Sequence, residues 1–280
     1  MSTVAAVRSY PRRSIVDPRR LTVPALLTLL CAGLLLSFGH IVVLEGPFRW
    51  LAVDFSLYRA QALALKFGGG QALYDVSALA HQLQPLATYT TNPGIPLAYG
   101  PVPYPPLFGW LFGAFAALSP VPGFVLWTGL NVLAAVHLAR RSAAFFTPSQ
   151  RPLVILLILL SFPVVYSLFV GQPTLLLGCA MAEAFLALRD GQDFRAGWWV
   201  AGLVFKPQYG LVVGVILIWK RRWRAVAGAI SGVAAVMAAS MIVAGPAALA
   251  AYPRSLAELS TFDGAGTFAF PNPMINWRGL

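Results

Sequence analysis

Residues 201–224 read AGLVFKPQYGLVVGVILIWKRRWR, an apolar stretch that is interrupted by Lys206 and Pro207 and that ends in a basic block. A lysine ammonium group is costly in hydrocarbon. Proline removes a helical hydrogen bond and disfavours helix at the residue before it. Two interpretations of Ala196–Trp219 therefore compete: one spanning helix, or two short helices that meet at the Lys206 break.

The composition predicts a polytopic membrane protein. Of the 280 residues, 58% are hydrophobic and only 10% are charged, and the mean hydropathy is +0.72. A soluble domain has about a quarter of its residues charged. The basic residues are not clustered with aromatic residues as in a nucleic-acid-binding surface, so the net charge of +11 is interpreted as a topology signal. Cys31 and Cys179 lie in apolar runs, and their pattern suggests neither a disulfide framework nor a metal site.

The apolar runs predict an all-α polytopic bundle of about seven transmembrane helices, some of them short and broken. Leu107–Leu118 is too short to cross, because its length as a helix is about 18 Å, and we interpret it as interfacial or re-entrant. The remaining apolar runs are Leu21–Leu44, Val121–Ala139, Pro152–Val170, Pro173–Leu188, Ala196–Trp219 and Ala225–Ala244.

The distribution of basic residues favours the broken helix at Lys206. In that interpretation 14 of the 20 basic residues are cytoplasmic and six are on the outer side. A single span would instead place the block WKRRWR at 219–224 outside, which the positive-inside rule disfavours. The cytoplasmic set is Arg8, Arg12, Arg13, Arg19, Arg20, Arg140, Arg141, Arg151, Arg189, Arg195, Lys220, Arg221, Arg222 and Arg224. The outer set is Arg49, Arg59, Lys66, Lys206, Arg254 and Arg278.

This topology predicts a basic cytoplasmic tail over residues 1–20 and a single membrane-embedded domain over 21–280. The first apolar run lacks a small-x-small cleavage site and is interpreted as a signal anchor. Residues 45–120 form the first extracytoplasmic loop together with the re-entrant or interfacial segment. Within this loop we expect short amphipathic helices that lie on the surface, such as 54–66, and a loop of this length is usually functional.

Two polar breaks and the long loop are predicted to lie on the same outer face. Gly171, Gln172 and Pro173 form the second break, with the same orientation as the Lys206 break. Non-helical backbone at membrane depth is tolerated where it lines protein or a water-filled cavity. The sequence therefore predicts an outward-facing cavity.

Acidic residues are scarce, and Asp54 is the strongest candidate for chemistry among the nine. It follows the first span closely and could face the cavity. The competing interpretation, an N-cap or first-turn acid of a helix, is slightly favoured by spacing alone. Glu183 is interpreted as reaching towards Arg189 at the cytoplasmic end of its helix. Asp190 and Asp193 are expected to form a solvated cluster with Arg189 and Arg195.

Several stretches together resemble glycosyltransferase family 87, whose members belong to the GT-C superfamily of membrane glycosyltransferases. The order of the stretches is more specific than any one of them, and the resemblance covers roughly residues 50–280. The matching stretches are DFSLYRAQALAL, GGGQALYD, YPPLFGWLFGAFAAL, FVGQPTLLL, AGLVFKPQYGLVVGVILIWKRRWRA and MINWRGL.

The resemblance implies a GT-C-like bundle that transfers a hexose, in this family commonly mannose, from a polyprenyl-phosphate donor. The acceptor is expected to be a cell-envelope glycolipid or glycan. The site is expected on the outer face of a bacterial plasma membrane, with the N-terminus cytoplasmic. Membrane lipid is a further expected partner, whereas no nucleic acid, cofactor or metal is expected. Relatives are considerably longer, so we expect this chain to be truncated at its C-terminus.

The resemblance also implies roles for individual residues. Asp54 is the expected catalytic base, and Lys206 matches the family's Lys-Pro break. From its charge at the outer surface we expect Lys206, together with Arg278, to bind the donor phosphate; a lysine that merely snorkels to the interface is the alternative. The residues expected to contact substrate are Tyr58, Tyr104, Gln172, Gln208 and Asn276.

The chemistry needs few groups, because phosphate is a good leaving group. A base near the acceptor hydroxyl and cations near the departing phosphate are sufficient. A transporter or lipid flippase is the chief alternative, but transporters usually carry several ionisable groups near the membrane midplane. A non-catalytic membrane subunit or fragment is a third interpretation.

Overall fold

The computed structural model describes residues 53–83 and 104–261, and all regular structure in these two ranges is helical. The tail at 1–20, the run Leu21–Leu44, Asn276 and Arg278 lie outside the described residues. The helices are α1 (Val53–Ala72), α2 (Val76–Leu83), α3 (Pro106–Ala116), α4 (Pro120–Ala143), α5 (Arg151–Leu159), α6 (Phe162–Val170), α7 (Thr174–Arg189), α8 (Asp193–Ala201), α9 (Pro207–Trp219) and α10 (Trp223–Thr261).

Two helices of the described part are long and apolar enough to cross a membrane. They are α4 and the Trp223–Ala257 part of α10, and the bent pair α5 and α6 would make a third span. The helices α3 and α9 are apolar but shorter. The all-helical membrane class is therefore confirmed, whereas the described residues do not show the predicted seven spans.

The apolar run Pro152–Val170 forms two helices that together can make one bent span. Helix α5 ends at Leu159, α6 begins at Phe162, and the two axes differ by 42°. Pro163 occupies the first turn of α6, where its missing N–H breaks no bond, whereas inside a longer helix it would remove one. The Ser161 hydroxyl donates to the Ile158 carbonyl at 2.7 Å and satisfies one of the oxygens at the end of α5.

The predicted break at Lys206 is confirmed. Helix α8 is followed by a 3₁₀ turn, Gly202–Phe205, and Lys206 then adopts a non-helical conformation with φ −135° and ψ 82°. Pro207 starts α9. Proline fits this position because its φ is already helical and its N–H is not needed there.

The predicted end of the last apolar helix at Ala244 coincides with a kink inside α10. Gly245 has φ 78° and ψ 174°, and helix resumes afterwards. Pro246 follows the kink directly.

The expectation that 54–66 forms an amphipathic helix on the surface is wrong, although the segment is helical. Helix α1 runs through the largest core cluster and packs against α3 and α10. The side chains of Phe55, Tyr58, Ala60 and Ala62 are all at most 4% exposed. A helix that is apolar around most of its circumference is buried rather than placed at an interface.

Glu183 is bound by α4 and not by Arg189, contrary to the prediction. Its carboxylate accepts from Arg141 at 2.6 and 2.8 Å and lies 3.0 Å from His137 Nε2. Arg189 contacts Asp190 at 3.4 Å. The buried carboxylate therefore joins the two helices α4 and α7.

The expected cluster of Asp190 and Asp193 with Arg189 and Arg195 is found only in part. Arg189 does contact Asp190, but the other two residues have different partners. Asp193 pairs with Arg222 at 3.3 Å. Arg195 donates to the neutral Gln192. The pairing with Arg222 brings the start of α10 against the start of α8.

The contacts between α4 and α7 show that these two helices are parallel and which of their ends lie together. Trp127, early in α4, bonds to Gly171 just before α7, whereas Arg141 and Glu183 meet near the far ends of both helices. The two helices therefore run in the same direction. The arginine-rich helix ends lie at one end of the bundle, and the break at Gly171 lies at the other.

Candidate functional site

A polar cluster lies where the two breaks meet the start of α1. The Lys206 Nζ atom donates to Gln172 Oε1 at 3.3 Å and to Thr174 Oγ1 at 3.4 Å. The Thr174 hydroxyl also donates to Gln172 Oε1 at 2.9 Å. Asp54 completes the cluster, because its carboxyl group lies close enough to the Gln172 side chain for that side chain to favour the charged form. Three separate segments of the chain therefore converge here.

The orientation of the Gln172 amide follows from its partners. Its oxygen accepts from Thr174 and Lys206, so its NH₂ group is the donor that faces Asp54. A carboxylate is a good acceptor for such a donor. Gln172 therefore connects the acid to the cation.

Asp54 lies in the first turn of α1 and outside the candidate spans. Burial raises the pKa of its carboxyl group, while the Gln172 side chain and the charge of Lys206 act in the opposite direction. A raised pKa makes a carboxylate a stronger base at a given pH once it is ionised. The first-turn position fits the alternative of a helix-stabilising acid, but the partners from α7 and the Lys206 break come from tertiary packing.

Two tyrosines form a buried wall next to Asp54. Tyr58 lies one helical turn after Asp54, and its hydroxyl is 2.9 Å from that of Tyr104. The Tyr74 hydroxyl donates to the Tyr104 carbonyl at 2.7 Å. Tyr58 and Tyr104 are 2% and 4% exposed, and both are close enough to Asp54 to interact with its charge.

Gln208 is placed apart from this cluster. Its side chain is exposed and lines an apolar groove of about 420 Å³ among α8, α9 and α10. The groove begins at Pro207, next to Lys206 in the chain. Its other lining residues are Val200, Ala201, Val204, Gly210, Leu211, Gly214, Ala229 and Val233.

Thr174 belongs to the cluster but is absent from the sequence-based predictions. Its position two residues after Gln172, at the start of α7, is the signal that would have found it. Within residues 53–83 and 104–261, no group of three His, Cys, Asp or Glu side chains could hold a metal ion. The polar groups of the site are thus an acid, an amide, a hydroxyl and an ammonium group.

These features define a helical membrane protein with a partly buried acid and a nearby cation at one end of its bundle. The profile described as glycosyltransferase family 87 matches residues 103–273, which is more than half of the chain. The chain belongs to glycosyltransferase family 87, as its motifs predict. Gln172 and Lys206 lie within the matched residues, whereas Asp54 precedes them. No curated protein and no solved structure matches the chain.

Family membership implies a membrane glycosyltransferase that uses a sugar donor and an acceptor. The roles of individual residues, the sugar and the lipid carrier are finer questions. They depend on the chemistry of the polar cluster.

Proposed function

We propose that the protein transfers a hexose, mannose by family resemblance, from a polyprenyl-phosphate donor to an envelope glycolipid or glycan. The reaction takes place at the extracytoplasmic face of a bacterial plasma membrane. The observation that carries the proposal is the connection of Asp54 to Lys206 through Gln172 at one end of the bundle. An acid and a cation at neighbouring positions are the two groups that this transfer needs.

Asp54 acts as the general base. The acceptor hydroxyl oxygen attacks the anomeric carbon of the donor sugar, and its proton passes to the Asp54 carboxylate. The bond between the anomeric carbon and the phosphate oxygen breaks, and the phosphate leaves with the electron pair. Gln172 holds the carboxylate in place through its amide.

Lys206 binds the donor phosphate. An ammonium group carries three N–H donors, and its two hydrogen bonds here, at 3.3 and 3.4 Å, are long and go to neutral oxygens. A phosphate oxygen is a stronger acceptor for a charged donor. The ammonium group then stabilises the charge that develops on the leaving phosphate.

The apolar groove that begins at Pro207 accommodates the lipid chain of the donor. It follows α9 away from Lys206 towards Gly214, a distance of about 10 Å along the helix. The phosphate then stays at the end of the bundle while the prenyl chain lies between α8, α9 and α10. This arrangement gives the groove and the cation a common ligand.

The transporter alternative is weakened by the surroundings of Glu183. That carboxylate lies in the apolar helix α7, where a transporter could use an ionisable group, and it is held by Arg141 and His137. A carboxylate held by an arginine and a histidine of another helix is suited to joining helices. The polar groups of the site lie at one end of the bundle, which fits chemistry at one membrane surface.

Transfer in a defined membrane tests the function. We expect the purified protein in liposomes to move labelled mannose from polyprenyl-phosphate mannose to lipids extracted from a bacterial envelope. The same liposomes, preloaded with donor on one leaflet, report lipid movement. Movement of the donor between leaflets without product would support the transporter, and neither result would support a non-catalytic subunit.

Topology is a separate prediction, motivated by the split of basic residues between the two ends of the bundle. In a chain without its native cysteines, Lys66→Cys is expected to react with an impermeant maleimide in spheroplasts. Arg222→Cys is expected to react only after permeabilisation. Both positions are exposed in the protein, so side-chain burial does not account for a difference. Labelling of position 222 in intact spheroplasts would refute the broken-helix topology.

A further inference from the structure

Trp127 in α4 combines aromatic packing with one specific hydrogen bond to the backbone. Its indole N–H donates to the Gly171 carbonyl at 2.7 Å, and the side chain is 3% exposed. Phe112 and Phe115 pack against the ring at centroid distances of 5.0 and 5.2 Å. The rings explain why the side chain is buried, and the N–H determines which backbone oxygen it holds.

Gly171 stands in a conformation that suits glycine. Its φ is 81°, in the left-handed region, and its N–H and that of Gln172 both donate to the Ser167 carbonyl, at 3.0 and 2.9 Å. This arrangement ends α6 and turns the chain towards α7. The direction in which Gln172 leaves the turn is therefore determined at Gly171.

Gly171 also allows α1 to approach. A Cβ atom at this position would lie 2.7 Å from Phe55 Cβ and 3.2 Å from the Phe55 backbone nitrogen. Both distances are shorter than an ordinary contact, so a side chain would force α1 away. Phe55 follows Asp54 in the chain, and Gln172 follows Gly171. The close approach of Gly171 to Phe55 is thus one residue away, on each segment, from the pair Asp54 and Gln172.

We infer that Trp127 and Gly171 are positioning residues that hold the Gln172 amide against the Asp54 carboxylate. Neither contacts the reacting atoms. Trp127 anchors the turn from the α4 side, and Gly171 lets α1 lie directly on the turn. The inference deepens the proposed function, on which its catalytic consequence rests, although the positioning itself can be measured without any transfer.

A structural role alone makes a different prediction. A buried indole N–H needs a hydrogen-bond partner in any protein, and its loss would lower stability wherever it lies. Positioning would in addition change the titration of Asp54, because the Gln172 amide beside it favours the carboxylate. The other titratable groups that interact with Asp54 are Lys206, Tyr58 and Tyr104. None of these is altered by a change at Trp127.

The experiment is an infrared titration of the purified full chain in lipid nanodiscs. The Asp54 carboxyl band is identified as the band that Asp54→Asn removes. We expect Trp127→Phe to raise the measured pKa of Asp54 by about 1, the size expected for losing a hydrogen bond to a charged group. Gln172→Leu is expected to raise it in the same direction. The double variant should show no more than the effect of Gln172→Leu, because both changes remove the same bond.

Two further variants separate positioning from packing. Phe115→Leu trims a ring that packs on Trp127 but keeps the N–H, and it is expected to leave the Asp54 titration unchanged. Where Trp127→Phe does not fold, a tryptophan analogue with sulfur in place of the indole N–H keeps the ring shape and removes the donor. An unchanged Asp54 pKa in the folded Trp127 variant, or additive effects with Gln172→Leu, would overturn the inference. If Trp127→Phe raises the pKa of Asp54 but the wild-type protein transfers no sugar, the positioning stands and the proposed function is refuted instead.

Discussion

Asp54→Asn is expected to lower sugar transfer by at least about 100-fold, the usual contribution of a general base. Asparagine keeps the shape of the side chain and can still bond to Gln172 after its own amide rotates. It cannot take a proton from the acceptor hydroxyl at neutral pH. The fold should therefore survive while the chemical step is lost.

The measurement is the initial rate of mannose transfer in liposomes, together with the melting temperature of each variant. Asp75→Asn is the matched control. Asp75 is an exposed acid in the turn before α2, where it accepts from the Ser77 N–H at 2.8 Å as a helix cap. We expect this variant to transfer sugar at nearly the wild-type rate. Near-normal turnover of Asp54→Asn would return Asp54 to a first-turn acid that stabilises α1.

The pH dependence of transfer has a defined sign. Burial raises the pKa of Asp54, so the carboxylate forms at a higher pH than in an exposed aspartate. Activity should therefore fall as pH drops through this raised value. Removing the Gln172 amide should raise the pKa of Asp54 further, so that activity begins to fall at a higher pH.

Lys206→Gln is expected to reduce transfer by about 100-fold, the lower range seen when a group that stabilises developing negative charge is removed. The glutamine side chain is polar and of similar length, but it lacks the positive charge. Lys206→Arg should retain part of the activity, because the charge remains while the donor geometry changes. Binding of polyprenyl phosphate should weaken in the same order.

Lys66→Gln is the control for a general loss of positive charge. Lys66 is an exposed lysine on α1, and its ammonium group lies 5.2 Å from the Phe67 ring. Rates and polyprenyl-phosphate affinity should stay near wild type in this variant. A lysine that merely extends to the membrane interface tolerates glutamine. Equal donor binding and equal transfer by Lys206→Gln and the wild type would therefore exclude the phosphate role.

Local rules of the chain predicted much of the architecture. Hydropathy identified α4 and the first part of α10, and Pro207 marked the break at Lys206. These features depend on a few neighbouring residues, because proline geometry and the hydrophobicity of a segment act within one or two helical turns. The position of the break before Pro163 was not located from the sequence, because the apolar run continues through it.

The depth of α1 could not be predicted in the same way. Its apolar and small residues fit either a membrane interface or a protein core, and the choice depends on α3 and α10, which come much later in the chain. Glu183 shows the same limit. Arg189 was the nearer arginine in sequence, but α4 brought Arg141 into bonding distance.

The sequence by itself determined that the protein is helical, membrane-embedded and a member of glycosyltransferase family 87, and it identified Asp54, Gln172 and Lys206 as candidates. Tertiary structure alone decided that these three meet, that Thr174 joins them and that Gln208 does not. Hydrophobicity and proline geometry are properties of short segments and can be recognised in the sequence. The approach of Gln172 to Asp54 depends on how α1, α4 and α7 pack, and packing is a property of the whole bundle.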